Sequence, residues 1–353
     1  MGMNTKKMAL NKNKLALTSI IVSILLLFTS QAMAAKDYIY AVVNNGLQVI
    51  DCDTDTIIKT IRYNDFIINT AYSADGKRYY LNAVHSIYAI DTTTNTLVDT
   101  YSFSSELSKV SIFGTSVSND GKKLYLCCSI VKKKQNIPKL NVLPDQLVVY
   151  DIQARKIVKN YPIPSSYTQP VTLRNDSDHI ILVGQDIDKF NLKTGKKEQL
   201  LGFLNTKKPG DMRNCLANWQ PGSPGDHGIF VNPYYDAKGL GYFIIDKNTG
   251  KLNDLRGKDV WFAYSSILSP DKKYIYGVMD ELIKVDRSTG DTIKAVPLKT
   301  GTNYTVAITS DGKKVYVGPG GPDMSVYDAD SLELLSVIPL MADGVASIRL
   351  TKK

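Results

Sequence analysis

Histidine and cysteine are scarce in this chain, and their scarcity limits the cofactors that it can hold by itself. The 353 residues include three histidines and four cysteines. They are His85, His179, His227, Cys52, Cys127, Cys128 and Cys215. No histidine has the spacing of a metal site, or of a Cys-x-x-Cys-His haem attachment, with another histidine or cysteine. A Gly-x-Ser-x-Gly nucleophile motif and a phosphate-binding glycine loop are also lacking, so we expect no cofactor in this chain.

The four cysteines are too few to form a disulfide scaffold in a chain of this length. Cys127 and Cys128 are adjacent on a predicted strand, where neighbouring side chains point to opposite faces. This arrangement favours two separate buried thiols. A strained vicinal disulfide is the alternative, because an oxidising compartment permits one.

The first 34 residues have the pattern of a cleaved secretory signal peptide. A leader with four lysines precedes the uncharged apolar run Leu15–Phe28, and Ala32-Met33-Ala34 supplies small residues at the cleavage positions. The apolar run has 14 residues, whereas a membrane-spanning helix needs about 20, so a retained anchor is the less favoured alternative. We expect residues 1–34 to be removed on export to the periplasm, leaving residues 35–353 without a membrane span.

The formal net charge of +9 overstates the charge of the mature protein. Removal of the four leader lysines, with no leader acid lost, lowers it to about +5. This modest and scattered excess argues against nucleic-acid binding and suits an acidic protein partner.

A short β-repeat recurs seven times along the mature sequence. Each copy is an apolar strand that ends in Asp or Asn, followed by a polar turn and a second apolar strand. The first strands end at Asp51, Asp91, Asp151, Asn191, Asp246, Asp286 and Asp328. Their separations of 40, 60, 40, 55, 40 and 42 residues match the period of a propeller blade with two insertions. Because one blade cannot bury both of its faces, the repeats predict an all-β, seven-bladed β-propeller as a single domain over residues 35–353.

A second motif marks a hairpin inside most repeats. Ser73-Ala-Asp-Gly-Lys77 and Ser118-Asn-Asp-Gly-Lys122 each lead into a strand, and Ser269–Lys273 and Ser310–Lys313 are related to them. Gly accepts positive φ, and Asp bonds its own backbone, so Asp-Gly between two strands predicts a tight turn. Each unit therefore contains four strands.

The two ends of the mature chain complete each other. The N-terminal blade begins at Asp37–Ala41, which corresponds to a second strand, whereas Ala346–Leu350 corresponds to a first strand without a partner. We predict that the C-terminal strand completes the N-terminal blade and removes an exposed sheet edge. The two insertions are Ile130–Gln146 and Phe203–His227, and long loops on rigid scaffolds often carry function.

Aromatic residues are the remaining candidates for a functional surface. Most of the 21 tyrosines alternate along predicted strands, where packing between blades accounts for them. Other aromatic residues stand in loops or at strand starts and could line a contact surface or an apolar pocket, with core packing as the alternative for each. They are Trp219, Tyr234, Tyr235, Trp261, Phe262, Tyr264 and Tyr304.

Several motifs follow one another in an order that is typical of one family. They are the Asp37-Tyr-Ile start, Ile112–Lys122, the insertion before Leu147–Asp151, the Trp219 loop, and Tyr327–Leu332 followed by Ala346–Leu350. This order resembles the β subunit of quinohaemoprotein amine dehydrogenases, a seven-bladed propeller of the YVTN type, and more distantly the heavy chain of methylamine dehydrogenase. Short pieces such as Asp-Gly-Lys also occur in unrelated propellers, so the insertion pattern and the full-length coverage carry the resemblance.

The resemblance implies a periplasmic three-subunit enzyme that oxidises primary amines to aldehydes and ammonia. It implies a large dihaem cytochrome c subunit with two c-type haems and a small subunit with a cysteine tryptophylquinone. The propeller subunit then carries no cofactor and no catalytic residue; it covers the small subunit and helps to wall the substrate cavity. By the same resemblance, the residues expected at that cavity or at a subunit contact are Trp219, Trp261, Phe262, Tyr264 and Tyr304.

Two other functions are compatible with the sequence. A stand-alone periplasmic binding or scaffold propeller would share the repeats and would need neither haem nor quinone partners. A propeller enzyme that acts alone, such as a lactonase, needs acidic metal ligands around the central channel, and the sequence offers no convincing set.

Overall fold

The chain folds into a ring of seven antiparallel β-sheets, which confirms the predicted seven-bladed propeller. The computed structural model describes residues 36–136, 138–164, 167–184, 186–202, 214–215, 228–236, 238–259, 262–299 and 303–352. These residues form 29 strands and no helix; in particular, they contain no helix long and apolar enough to cross a membrane. The leader expected at residues 1–34 lies outside the described residues.

The first three blades contain strands β1 to β12, numbered along the chain. Blade 1 holds β1 (Asp37–Val43), β2 (Gly46–Asp51) and β3 (Thr56–Arg62). Blade 2 holds β4 (Ile67–Tyr72), β5 (Arg78–Ala83), β6 (Ser86–Asp91) and β7 (Thr96–Ser102). Blade 3 holds β8 (Ser108–Val117), β9 (Lys123–Lys133), β10 (Leu140–Val142), β11 (Gln146–Asp151) and β12 (Lys156–Pro162).

The other four blades repeat the pattern. Blade 4 holds β13 (Tyr167–Thr172), β14 (His179–Gly184), β15 (Asp186–Asn191) and β16 (Lys197–Gly202). Blade 5 holds β17 (Asn214–Cys215), β18 (Ile229–Asp236), β19 (Gly239–Asp246) and β20 (Leu252–Arg256). Blade 6 holds β21 (Ser265–Leu268), β22 (Tyr274–Val278), β23 (Glu281–Asp286) and β24 (Thr292–Pro297). Blade 7 holds β25 (Asn303–Ile308), β26 (Lys314–Pro319), β27 (Asp323–Asp328) and β28 (Leu334–Pro339), and β29 (Gly344–Lys352) follows it.

The ring closes as predicted from the two chain ends. Strand β29 pairs antiparallel with β1, with Leu350 opposite Ile39, and so becomes the first strand of blade 1. It also contacts β25 of blade 7 and β4 of blade 2. The last strand of the chain therefore holds the first and last blades together and covers the edge that β1 would otherwise expose.

Apolar packing between neighbouring blades supplies the core. Seven clusters of buried side chains occur in the described part of the chain, and each combines residues of two adjacent blades. The cluster between blades 7 and 1, for example, joins Met324 and Val326 to Ile39, Ile50 and Leu350. Because burial of such a side chain contributes roughly 1.5 to 3 kcal/mol, the ring is stabilised at every interface rather than at one centre.

The first insertion extends a sheet instead of forming only a loop. Strand β9 continues to Lys133, and β10 pairs with its far end, with Val142 opposite Val131. On the other side of β9, strand β8 starts early, with Ser108 opposite Lys132. The insertion Ile130–Gln146 thus adds a short three-stranded projection to blade 3. Within the second insertion, Phe203–His227, the structure describes only the backbone of β17.

A tyrosine on the second strand ties several blades to the next one. Tyr40, Tyr80, Tyr125, Tyr276 and Tyr316 occupy the same register position, each opposite the residue two before the terminal Asp of the third strand. The Tyr40 hydroxyl reaches Asn95 Oδ1 and the Thr92 carbonyl at 3.2 Å in blade 2. Those of Tyr276 and Tyr316 reach carbonyls at the corresponding turns of blades 7 and 1, Ala329 at 2.7 Å and Cys52 at 3.3 Å. We call this contact the tyrosine latch.

Candidate functional site at the mouth of the central channel

The innermost strands of the blades line the central channel, and a β-bulge recurs near the start of these strands. The register shifts across Ile68 in β4, Phe113 in β8, Thr168 in β13 and Tyr304 in β25. Tyr264 holds the corresponding position just before β21, where its amide donates to the Val278 carbonyl at 2.8 Å. A bulge re-aims the side chain of the extra residue. Blades 2, 3, 6 and 7 therefore each present one described side chain at one end of the channel.

The bulged side chains that the structure describes, Ile68, Phe113, Tyr264 and Tyr304, are apolar or aromatic and only partly buried. Ile68, Tyr264 and Tyr304 are half-buried, and Phe113 is 40% exposed. The rings of Tyr264 and Tyr304, from neighbouring blades, lie with their centroids 5.4 Å apart. Two of the residues singled out from the sequence thus meet at one place, the mouth of the channel.

Phe262 extends this aromatic surface away from the channel. It lies on the connection between blades 5 and 6, is 57% exposed, and packs against Tyr235 with ring centroids 5.0 Å apart. The Tyr235 hydroxyl bonds the backbone of Ala263, which fixes the connection. Burial raises the pKa of Tyr235 to about 12. That hydroxyl stays protonated at neutral pH and acts as a structural clamp rather than as a base.

A layer of buried polar side chains lies one residue further along the same strands. Asn69, Gln169, Ser265 and Thr305 occupy this position in blades 2, 4, 6 and 7 and are at most 3% exposed. Asn69 Nδ2 donates to Gln169 Oε1 at 2.8 Å, although blade 3 stands between their blades. Blade 3 carries Gly114 at this position, so no side chain separates the two amides.

Two atoms of this polar layer make no hydrogen bond to any described residue. They are Asn69 Oδ1 and Ser265 Oγ. An unpaired buried polar atom costs free energy unless another group satisfies it. An apolar rim above a few polar groups is the usual composition of a small-molecule site. The mouth thus combines a partly exposed apolar rim with a fully buried polar layer in which two atoms lack a hydrogen-bond partner among the described residues.

Trp219, Trp261 and Tyr234 are the aromatic candidates that remain. Trp219 and Trp261 lie outside the described residues, so their expected place at a cavity stays a prediction. Tyr234 is fully buried and bonds Asp254 Oδ1 at 2.5 Å, which makes it a core residue. Ile68, Phe113 and the polar layer were not anticipated. An apolar residue followed by a small or polar one, as in Phe113-Gly114, Tyr264-Ser265 and Tyr304-Thr305, is the signal that aligned repeats would reveal.

The described histidines serve the fold. His85 Nδ1 bonds the Val110 carbonyl at 2.7 Å. His179 Nδ1 lies 2.9 Å from Asp176 Oδ1, and its Nε2 lies 3.0 Å from Asn191 Nδ2. Across the part of the chain that the structure describes, no group of three His, Cys, Asp or Glu side chains could hold a metal ion. His227 lies outside that part.

Cys127 and Cys128 are separate buried thiols, as the strand alternation favoured, and no bond joins them. Cys127 packs between blades 3 and 4, and Cys128 packs between blades 2 and 3. Burial raises the pKa of Cys128 to about 12 and raises that of Cys127 well above its usual range. Both thiols are therefore protonated at neutral pH and unreactive.

Comparison with known proteins supports the fold but shows no family. No protein-family model matches the sequence, and no curated protein matches it. Among solved structures, a chain of hydrazine synthase from Kuenenia stuttgartiensis is similar with a TM-score of 0.56 and 14% identity, over 81% of this chain and 95% of that one. A functionally unknown protein from Desulfotomaculum acetoxidans is similar with a TM-score of 0.58 and 12% identity, over 89% and 98%. At these identities, the likeness establishes the propeller fold alone.

Proposed function

We propose that this chain is the cofactor-free propeller subunit of a periplasmic enzyme related to the quinohaemoprotein amine dehydrogenases. Its partners would be a dihaem cytochrome c subunit and a small subunit with a cysteine tryptophylquinone. The quinone, when present, takes the electron pair released as a primary amine and water become an aldehyde and ammonium. This chain covers the small subunit and walls the cavity that the amine enters.

The channel mouth is the observation that carries the proposal. Phe262, Phe113, Tyr264 and Tyr304 present apolar surface to the exterior. Exposed apolar surface of this kind marks a protein contact or a ligand groove. Placed over a quinone, it would exclude water and strengthen electrostatic interactions in the cavity. The likeness to a chain of hydrazine synthase supports a propeller that works inside a redox enzyme.

A stand-alone binding propeller is the second candidate, and the polar layer favours it. Asn69 Oδ1 and Ser265 Oγ have no hydrogen-bond partner among the described residues, and a small ligand that satisfied them would need no second subunit. The two functions differ in whether haem and quinone proteins accompany the chain.

Purification of the tagged full-length chain from its native periplasm tests the proposal. We expect the chain to carry a haem protein, seen by its absorbance, and a small quinone protein, with amine-dependent reduction of an artificial electron acceptor. Phe262→Ala should weaken the association or lower kcat/KM for the amine, because it removes apolar contact area at the mouth. Phe66→Ala is the matched control, since Phe66 is 56% exposed on the equivalent connection between blades 1 and 2.

Two experimental outcomes would contradict parts of the proposal. A colourless preparation that contains this chain alone and does not oxidise amines contradicts the subunit function and favours the binding propeller. Equal losses in the Phe262 and Phe66 variants would place the contact elsewhere on the ring.

A further inference from the structure

The tyrosine latch is missing between blades 3 and 4. Tyr125 holds the latch position, but the facing turn of blade 4 carries Gly195, where blades 1 and 2 carry Asp55 and Asn95. Gly195, Asp55 and Asn95 all have a left-handed backbone conformation, with φ of 72°, 53° and 53°, respectively. The turn carbonyl that a latch would use, Leu192, accepts instead from the Tyr161 hydroxyl on the outer strand β12. No described residue hydrogen-bonds the Tyr125 hydroxyl, although Tyr125 is only 7% exposed.

A groove opens where the latch is missing. Its volume is about 540 Å³, within the range of about 300 to 1,000 Å³ for small-molecule sites. Tyr125, Val149, Val158, Tyr161 and Leu192 form its apolar walls. Tyr80 also lacks a latch bond to a described residue, and a smaller groove of about 310 Å³ lies beside it. Of these two grooves, the larger one has the more apolar walls.

Most charges at the rim of the larger groove are already paired. Asp176 lies 2.9 Å from His179 and 3.3 Å from Lys189, and Asp178 lies 2.5 Å from Lys193. Lys159 Nζ donates to two backbone carbonyls of the blade 4 turn at 3.0 and 3.1 Å. The rim therefore offers no net charge to select an ion. It offers carboxylate oxygens as acceptors and amines as donors, beside the hydroxyl of Tyr125.

We propose that this groove binds a neutral, hydroxyl-rich small molecule of the size of a mono- or disaccharide. Its hydroxyls bond the Tyr125 hydroxyl, Asp120 and Lys123, which all line the groove. Its less polar ring face lies against the aromatic and aliphatic walls. This site is on the Asp-Gly turn side of the blades, away from the channel mouth, and does not depend on the function proposed for that mouth.

Restoring the latch should close the site. In Gly195→Asn, the new side chain corresponds to Asn95, which Tyr40 contacts in blade 2. Asn tolerates positive φ, and its Cβ would lie 3.3 Å from Tyr161 Cδ1. Gly250→Asn is the matched control. Gly250 has φ of 74° at the same turn position of blade 5, and a Cβ there would meet Leu173 at 3.2 Å. No latch can form at this turn, because the residue at the latch position of the facing blade 4 is Ile181.

Titration of the full chain with glucose, maltose and trehalose, by calorimetry or NMR, tests the site. We expect one or more of these sugars to bind the wild type and the Gly250→Asn variant equally. Binding by Gly195→Asn should be weaker by about tenfold or more, and Tyr125→Phe should weaken it by about fivefold, the loss of one hydrogen bond. An increased melting temperature of Gly195→Asn would show that the latch has formed. Failure of all three sugars to bind, equal affinity of wild type and Gly195→Asn, or preferential binding of propylamine or glycine would overturn the proposal.

Discussion

The tyrosine at the latch position is hydrogen-bonded across one blade interface and not across another. Between blades 7 and 1, Tyr316 bonds Asp55, and Lys314 Nζ bonds Asp55 at 3.0 Å and the Cys52 carbonyl at 2.9 Å. Between blades 3 and 4, Tyr125 holds the same position as Tyr316, yet its hydroxyl makes no hydrogen bond to a described residue. The closing interface, where the chain ends meet, is thus sealed by polar contacts, while the other is open to solvent.

Whether the latch forms depends on both blades, on the receiving turn and on the outer strand of the donating blade. Tyr125 and Tyr316 are the same residue type at the same register. The turn opposite differs, Gly195 against Asp55, and in blade 3 the Tyr161 hydroxyl bonds the Leu192 carbonyl that a latch would use. Both turns adopt left-handed backbone at this residue, so glycine is sufficient for the turn but cannot supply an acceptor. A side-chain acceptor is not required for the latch, because Tyr276 bonds the Ala329 carbonyl although blade 7 carries Leu332 at this turn position. The open interface therefore combines a glycine at the turn with a carbonyl that Tyr161 already bonds.

The largest expected effect comes from breaking the closing interface entirely. Truncation after Asp343 removes β29, exposes the edge of β1 and withdraws Leu350 from the cluster between blades 7 and 1. We expect loss of cooperative unfolding and aggregation through the open edge. Thermal denaturation followed by circular dichroism, with size-exclusion chromatography, checks this. Removal of Lys353 alone is the control, and a truncated chain that unfolds like the full one would show that the ring needs no closing strand.

Substitution of the two tyrosines measures the latch directly. Tyr316→Phe removes the hydroxyl that donates to Asp55 Oδ1 and should lower the free energy of unfolding by about 1 to 2 kcal/mol. Tyr125→Phe removes a hydroxyl that has no protein partner and should change it by less than about 0.5 kcal/mol. Urea denaturation of both variants provides the comparison. Equal losses would mean that burial of the tyrosine ring, rather than the hydrogen bond, is what the position supplies.

The architecture was predictable from the sequence because its signals are local. The Asp-Gly turns and the spacing from Asp51 to Asp91 are read within single repeats, and the partners of β1 and β29 follow from counting strands. The latch was not predictable, because Tyr125 and Gly195 are 70 residues apart. No sequence feature near either residue indicates which turn the tyrosine faces. Tyr264 and Tyr304 were selected as aromatic residues near strand starts. That they meet at the mouth depends on bulges, which shift the register without altering the apolar pattern.

The smallest expected effect concerns the turns that both interfaces share. Hydrogen bonds from Ser73, Ser118 and Ser269 lower the pKa values of Asp75, Asp120 and Asp271. Because the folded-state pKa is depressed, each carboxylate stabilises the fold fully above its unfolded value of 3.8, and this contribution is lost as the pH falls through the folded value.

Asp120→Asn should therefore reduce stability at pH 7 and flatten its decline below about pH 4. Solvent screening at this exposed turn limits the change to a few tenths of a kcal/mol, roughly the value of a surface ion pair. Urea denaturation at pH 7 and at about pH 3 measures both quantities. Asp271→Asn, in a turn away from the blade 3–4 groove, should behave in the same way. A larger loss for Asp120 than for Asp271 would show that the open interface depends on its turn more than a sealed interface does.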